Sequence, residues 1–171
     1  MPMIDLSLLS LSGFTTAVLF AAFWDIKRKA IPNGLILTLL AGFLLLAPGS
    51  GWSQADISGS LLVGSIVVFV GLTAFALGWA GAGDGKFAAV CTLWIGAQNA
   101  LDFLFMTTVF GALLTMTLLG ANRLGWSPLS PEIRDAGAAT GTRQIAVPYG
   151  FAISAAALFV LPRTPWVSAL F

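Results

Sequence analysis

The strongest constraint on the fold of this chain is a series of apolar runs, each close to the length that crosses a lipid bilayer. The run over residues 58–79 contains no charged side chain, and one transmembrane helix requires about twenty consecutive apolar residues. Only 9% of the 171 residues are charged and the mean hydropathy is +0.95, whereas roughly a quarter of the residues are charged in a soluble domain. We therefore predict an all-α, polytopic membrane helix bundle that forms a single domain over residues 1–171.

Six segments are apolar enough to be predicted as transmembrane helices, and two of them, the second and the fourth, are short. They cover residues 4–24, 33–47, 58–79, 87–97, 103–121 and 145–161. The first has no basic residues before it, so we expect it to remain as a helix and not to be a cleaved signal peptide. The hydrophilic stretch over residues 122–144 is rich in proline and glycine and is predicted to be irregular.

The basic residues predict the orientation in the membrane. Six crossings place seven of the eight lysines and arginines on one side: Lys27, Arg28, Lys29, Lys86, Arg123, Arg134 and Arg143. Arg163 alone falls on the other side. By the positive-inside rule the seven face the cytoplasm, so we expect a multi-pass protein of the inner (cytoplasmic) membrane with both termini outside. A single crossing over residues 87–121 would move three arginines and remove most of this bias.

The residue types that are missing exclude several classes of site. There is no histidine and only one cysteine, Cys91, so the chain contains no serine–histidine or cysteine–histidine catalytic pair, internal disulfide or four-cysteine zinc site. We expect no metal and no cofactor. No basic cluster is interleaved with aromatic residues, so we also expect no nucleic-acid partner. Acid–base chemistry is left to carboxylates, lysines and the single tyrosine, Tyr149.

Two aspartates are the candidate catalytic residues. Asp25 follows the first predicted helix and Asp84 follows the third, and both of these helices run inward, so both carboxylates are predicted at the cytoplasmic interface at similar depth. Two carboxylates that lie close together share one proton, which lets one activate a water molecule while the other polarises a carbonyl group. That is the chemistry of an aspartyl protease. The similar depth follows from the topology, whereas the proximity of the two side chains is a hypothesis.

The glycines around Asp84 have two interpretations. Gly81, Gly83 and Gly85 would allow positive φ angles and a close approach of the backbone to a substrate. Alternatively, the glycines end one membrane helix and the aspartate caps the next. Lys86 is interpreted as a membrane anchor, with neutralisation of Asp84 as the alternative.

Three further residues are candidates for binding substrate or shaping the site. Pro32 and Asn33 are interpreted as the start of a helix, with Pro32 in its first turn, although a fixed turn at this point would also aim the Asp25 carboxylate. Tyr149 is typical of an interfacial anchor at a helix start. It could instead donate a hydrogen bond to a substrate or to a catalytic carboxylate.

The two aspartate motifs resemble those of the type IV prepilin peptidase family of membrane aspartyl proteases. The segment Asp25-Ile26-Lys27-Arg28-Lys29-Ala30-Ile31-Pro32-Asn33 is similar to the first motif of the family. Gly81-Ala82-Gly83-Asp84-Gly85-Lys86 is similar to its G-x-G-D-x-K motif, although Gly85 stands where a bulkier apolar residue is expected. Pro148-Tyr149-Gly150 is also similar to a recurring feature of the family.

The resemblance implies a function and a catalytic pair. Asp25 and Asp84 would cut the basic leader from prepilin or pseudopilin precursors, which carry an apolar helix in the lipid bilayer, during pilus assembly or secretion. Larger members have a zinc-binding cysteine segment and also methylate the new amino terminus. That segment is missing here, so methyltransferase activity is not expected. The compact form resembles the peptidases of tight-adherence pilus systems and the archaeal preflagellin peptidases.

Two readings from other functional classes stay open at this point. A small transporter or proton channel would place ionisable residues inside the membrane, and the predicted segments have none in their interiors. Broken helices at the midplane could nevertheless bind a neutral solute. A non-catalytic subunit of a pilus or secretion assembly is the third reading, and nothing in the sequence excludes it.

Overall fold

The structure is a computed structural model that describes residues 2–124 and 147–168. Its helices are α1 (Pro2–Arg28), α2 (Asn33–Leu46), α3 (Gln54–Ala76), α4 (Ala82–Ile95), α5 (Ala100–Arg123), α6 (Tyr149–Val160) and the single turn α7 (Pro165–Ser168). Short 3₁₀ turns lie at Ala47–Gly49, Ala97–Asn99 and Leu161–Arg163. Helices and no strands occur in these two ranges, which confirms the all-α prediction.

Four helical stretches are long and apolar enough to span a membrane. They are Leu6–Arg28, Gln54–Ala76, Ala97–Ala121 and Tyr149–Ser168. The second predicted segment is also helical, at Asn33–Gly49, but it is shorter than these four stretches. The fourth corresponds to α4, which has 14 residues. The chain is therefore an integral membrane protein, and the number of six crossings stays a prediction.

The helix boundaries differ from the predicted segments at both aspartates. We predicted that the first segment would end at residue 24, but α1 continues to Arg28, so Asp25 lies inside its last turns. The fourth segment was predicted to begin at residue 87, but α4 begins at Ala82, so Asp84 lies in its first turn. The two charged side chains are tolerated inside these apolar helices because they lie in the terminal turns. Most of the predicted irregular stretch over residues 122–144 lies outside the described residues.

Helix α4 is the centre of the bundle, and its second half is buried on all sides. Its buried residues are Phe87, Ala89, Val90, Cys91, Thr92, Leu93, Trp94 and Ile95. The Trp94 ring stacks on Phe14 of α1 and on Trp166 of α7, with centroid distances of 5.0 Å in both cases. Its Nε1 atom donates a hydrogen bond to the carbonyl of Leu39 in α2 at 2.9 Å. A helix segment that is apolar all round is stable when other helices or lipid surround it, and here other helices do so.

Polar contacts join the loops at the end of the bundle away from Asp25 and Asp84. Gln98 Nε2 donates to Asp56 Oδ1 at 2.7 Å, which connects the α4–α5 junction to the start of α3. Arg163, after α6, forms an ion pair with Asp102 at 3.2 Å. These contacts place three junctions of the chain at one end. The two catalytic candidates lie at the other end.

Candidate active site

The carboxyl group of Asp25 packs against the amino-terminal turn of α6. The residue is 3% exposed, and the backbone N–H groups of Gly150 and Phe151 donate hydrogen bonds to its carboxyl group. Its Oδ2 atom is buried and has no hydrogen-bond partner among the described residues. The amino terminus of a helix carries a partial positive charge that favours a carboxylate. Asp25 thus joins the end of α1 to the start of α6.

Asp84 is the third residue of α4 and faces back toward the residue that caps this helix. The cap is Gly81, with φ −74° and ψ 139°, and its N–H group donates to the Asp84 carboxyl group. This is half of a capping box, because a side chain at the third position satisfies a backbone donor at the cap. The alternative interpretation that Asp84 caps the next helix therefore needs correction, because Gly81 is the cap and Asp84 lies in the first turn, a position that is compatible with a catalytic role.

The two aspartates lie close enough to interact electrostatically. Asp84 is half-buried, outside the four candidate membrane spans and before the apolar part of α4. Burial raises the pKa of Asp84 to about 6, with a further upward contribution from the Asp25 carboxylate. The surrounding backbone is also brought together, since a Cβ atom on Gly83 would lie 3.8 Å from the backbone nitrogen of Ile31. The linker after α1 therefore touches the first turn of α4.

The expectation of positive φ angles in the glycine motif is wrong. The glycines with positive φ in the described residues are Gly51, Gly78 and Gly96. The motif glycines instead allow close approach, because a Cβ atom on Gly81 would come within 2.9 Å of Asp84 Oδ2. A side chain at that position would displace the carboxyl group from its cap.

The remaining candidates lie at the same end of the bundle but differ in what they contact. Lys86 is half-buried and, within the described residues, makes no ion pair with Asp84. Pro32 is the N-cap of α2 and so directly precedes the helix in which we predicted it, while Asn33 is exposed as the first helical residue. The Tyr149 side chain is 44% exposed. Its ring packs on α5, where a Cβ atom on Gly111 would lie 3.0 Å from Tyr149 Cε1.

Two residues near Asp25 were not singled out from the sequence. A Cβ atom on Gly150 would meet Asp25 Oδ2 at 2.8 Å and Cγ at 2.9 Å, so only glycine fits there. Lys29 is half-buried and has a φ angle of 49°. Burial lowers the pKa of Lys29, and the Asp25 carboxylate partly opposes this. The available signals were the glycine after Tyr149 and the four-residue spacing from Asp25 to Lys29.

Comparison with known proteins gives one family. The Type IV leader peptidase family matches residues 13–116, a range that includes both aspartates and the residues around each of them. Comparison with curated proteins and comparison with solved structures gave no match. Tyr149 and Gly150 lie beyond the matched range. In the part of the chain that the structure describes, no three Cys, Asp or Glu side chains cluster as metal ligands would.

Proposed function

The chain belongs to the Type IV leader peptidase family, and we propose that it is an aspartic-type endopeptidase with Asp25 and Asp84 as its catalytic pair. The observation that carries this proposal is that two carboxyl groups from distant parts of the sequence lie near enough for the charge on Asp25 to raise the pKa of Asp84. Both carboxyl groups are withdrawn from water. In such an environment one shared proton is favoured over two negative charges. The membrane location and the peptidase assignment follow from the helices and the family, whereas the mechanism is our inference.

We assign different roles to the two carboxyl groups. Asp25 receives two backbone N–H groups at the amino terminus of α6, which orient its carboxyl group and fit a general base that activates water. Asp84 has one backbone donor and a raised pKa, which fits the protonated partner that donates a hydrogen bond to the scissile carbonyl. As the carbonyl becomes tetrahedral, Asp25 takes a proton from water and Asp84 stabilises the developing oxyanion. The proton is then passed to the leaving amine.

The proposed substrate is a prepilin or pseudopilin precursor with a basic leader and an apolar helix. The helix of such a precursor would lie in the bilayer, so its cleavage site would reach the membrane surface at the depth of helix ends. Asp25 lies in the last turn of α1 and Asp84 in the first turn of α4, which supports a reaction at that depth. We propose that this surface faces the cytoplasm, that both termini lie outside, and that residues 1–171 act as one peptidase domain without methyltransferase activity.

The residues around the pair are assigned supporting parts. Gly81 leaves room for the Asp84 carboxyl group, and Gly83 lets the first turn of α4 approach the linker at Ile31. Pro32 and Asn33 fix the start of α2 after that linker. Lys86 and Tyr149 are partly exposed at the same end and are proposed to contact the leader or lipid headgroups.

The experiment that tests this function is cleavage of a co-expressed prepilin-like precursor, followed by a gel shift. Asp25→Asn and Asp84→Asn should each abolish leader removal while the protein still inserts into the membrane. Asp102→Asn is the matched control, because Asp102 is exposed at the opposite end and a surface ion pair contributes little to stability. Normal cleavage by either active-site variant would refute the paired-carboxylate mechanism.

A further inference from the structure

Helices α3 and α4 touch backbone to backbone next to Asp84. A Cβ atom on Gly71 would meet Gly85 Cα at 2.6 Å, and a Cβ atom on Gly85 would meet Gly71 Cα at 2.8 Å. Neither glycine has a positive φ angle, so backbone conformation does not require glycine at either position. Glycine is required at both positions because the two helices approach each other so closely.

We propose that Gly71 is a positioning residue for catalysis, because its missing side chain sets how close the first turn of α4 lies to α3 and thereby places Asp84 relative to Asp25. This inference rests on the proposed function of the two aspartates. Gly85 directly follows Asp84 in the sequence, so any displacement of Gly85 is passed to the catalytic carboxyl group. Gly71 itself lies five residues before the end of α3, and the atoms nearest to a Cβ at this position belong to Gly85 and to neither aspartate.

The contact at Gly71 differs from the other close contact in the same interface. A Cβ atom on Gly64 would meet the Leu93 side chain, with Cδ2 at 2.6 Å and Cγ at 3.2 Å, while the nearest backbone atom, the Ala89 oxygen, lies at an ordinary contact distance of 3.4 Å. The end of a leucine side chain can rotate away, although at some cost in packing. At Gly71 the nearest atoms are the Cα, carbonyl carbon and oxygen of Gly85, and backbone atoms can yield only if the helix moves. An added methyl group is therefore absorbed locally at Gly64 and moves α4 at Gly71.

Movement of α4 should alter the chemistry of the pair, not only the stability of the fold. The interaction between two carboxyl groups falls with their separation, so a displaced Asp84 holds the shared proton less firmly. The alkaline limb of the rate–pH profile reports loss of that proton. A purely structural defect lowers the amount of active enzyme and leaves the position of this limb unchanged.

The experiment compares Gly71→Ala with the matched control Gly64→Ala, each in the full-length protein in detergent or lipid nanodiscs. The substrate is a prepilin-like precursor with a basic leader and an apolar helix, and kcat and KM are measured from pH 5 to 9. We expect Gly71→Ala to lower kcat at least tenfold with little change in KM, and to move the alkaline limb to lower pH by half a unit or more. Gly64→Ala should keep the wild-type pH profile.

Gly85→Ala is the second variant, because its methyl group would enter the same contact from α4. It should shift the alkaline limb of the rate–pH profile by the same amount. The proposal is overturned if Gly71→Ala keeps the wild-type profile, or if Gly64→Ala shifts the limb equally. It is also overturned if Gly71→Ala and Gly85→Ala both fail to accumulate while Gly64→Ala does, since the contact then serves folding alone. Cleavage by Asp84→Asn would instead refute the proposed function, so the two failures are distinguishable.

Discussion

The Asp25 carboxyl group fills the space that a side chain at Gly150 would occupy, with Oδ2 only 2.8 Å from the position of a Cβ atom. This relationship joins the first helix of the chain to α6, and the two backbone donors of α6 reach Asp25 only because nothing stands between them. The placement of one catalytic candidate therefore depends on a residue outside the range that matches the family.

Gly150→Ala should abolish most of the cleavage activity. The new methyl group would push the Asp25 carboxyl group away from the N–H groups of Gly150 and Phe151, and a misplacement of about 1 Å can cost on the order of 100-fold in rate. The measurement is the initial rate of leader removal at equal amounts of inserted protein.

The control for this variant is Gly13→Ala, also at a helical position but in α1, where a Cβ atom would have nothing within 4 Å. Alanine is also the better helix former, so Gly13→Ala should retain wild-type activity and stability. A Gly150→Ala enzyme that cleaves at the wild-type rate would show that Asp25 does not need its present position.

The sequence was sufficient to predict the helices and the end of the bundle at which each aspartate lies. Uncharged runs such as residues 58–79 can only be long helices in a chain with so few charges, and α3 covers Gln54–Ala76. Asp25 and Asp84 were recognised because each follows a predicted helix that runs inward and because both lie in recognisable motifs. Topology then predicted a common depth, and the structure places the two carboxyl groups near enough for the charge on Asp25 to raise the pKa of Asp84.

The close contacts between helices could not be predicted, because they depend on helix rotation, which apolar runs do not specify. The α3 run is apolar on every side, so no periodicity marks Gly71 as the residue that faces Gly85. For the same reason Gly85 stood out only as a departure from the motif, whereas a Cβ atom at this position would lie 2.8 Å from Gly71 Cα in the facing helix. The start of α4 at Ala82 was missed because a glycine at its cap and two glycines in its first turn favour loop over helix.

Asp84 should make the folded protein more stable in mild acid than at neutral pH. Its pKa is about 6 in the fold and 3.8 in the unfolded chain, so between these values the folded state holds a proton that the unfolded state releases. Stability therefore falls as pH rises from about 4 to 6, by at most about 3 kcal/mol. Asp84→Asn should flatten this part of the curve and be more stable than wild type at pH 7.5.

Thermal unfolding of detergent-solubilised protein at a series of pH values measures this effect. Asp102→Asn serves as the control, because the Asp102 side chain is 59% exposed, and this variant should keep the wild-type slope. An Asp84→Asn protein whose stability between pH 4 and 6 changes as steeply as that of the wild type would show that Asp84 is not the titrating group.

The tryptophans at the far end of the bundle should affect stability and not the chemistry. Trp166 Nε1 donates to the Trp94 carbonyl at 2.7 Å, so Trp166→Phe leaves a buried acceptor unpaired and should cost about 1–2 kcal/mol. Trp52 is the matched control, since its buried Nε1 has no hydrogen-bond partner in the described residues and Trp52→Phe should cost less. Unfolding in detergent gives both values. Equal losses would contradict this assignment, as would a shifted rate–pH profile for Trp166→Phe.

Single cysteines should reveal which end of the bundle faces the cytoplasm and whether α4 and α5 are separate crossings. The wild-type protein is the control, because its one cysteine, Cys91, is buried and should not react. Ala30→Cys lies near Asp25, whereas Gln54→Cys and Gln98→Cys lie at the opposite end, and all three positions are exposed. An impermeant maleimide added to intact cells should label the last two, and should label Ala30→Cys only after permeabilisation. Because α4 and α5 meet beside Gln98, protection of Gln98→Cys with labelling of Gln54→Cys would rule out six crossings.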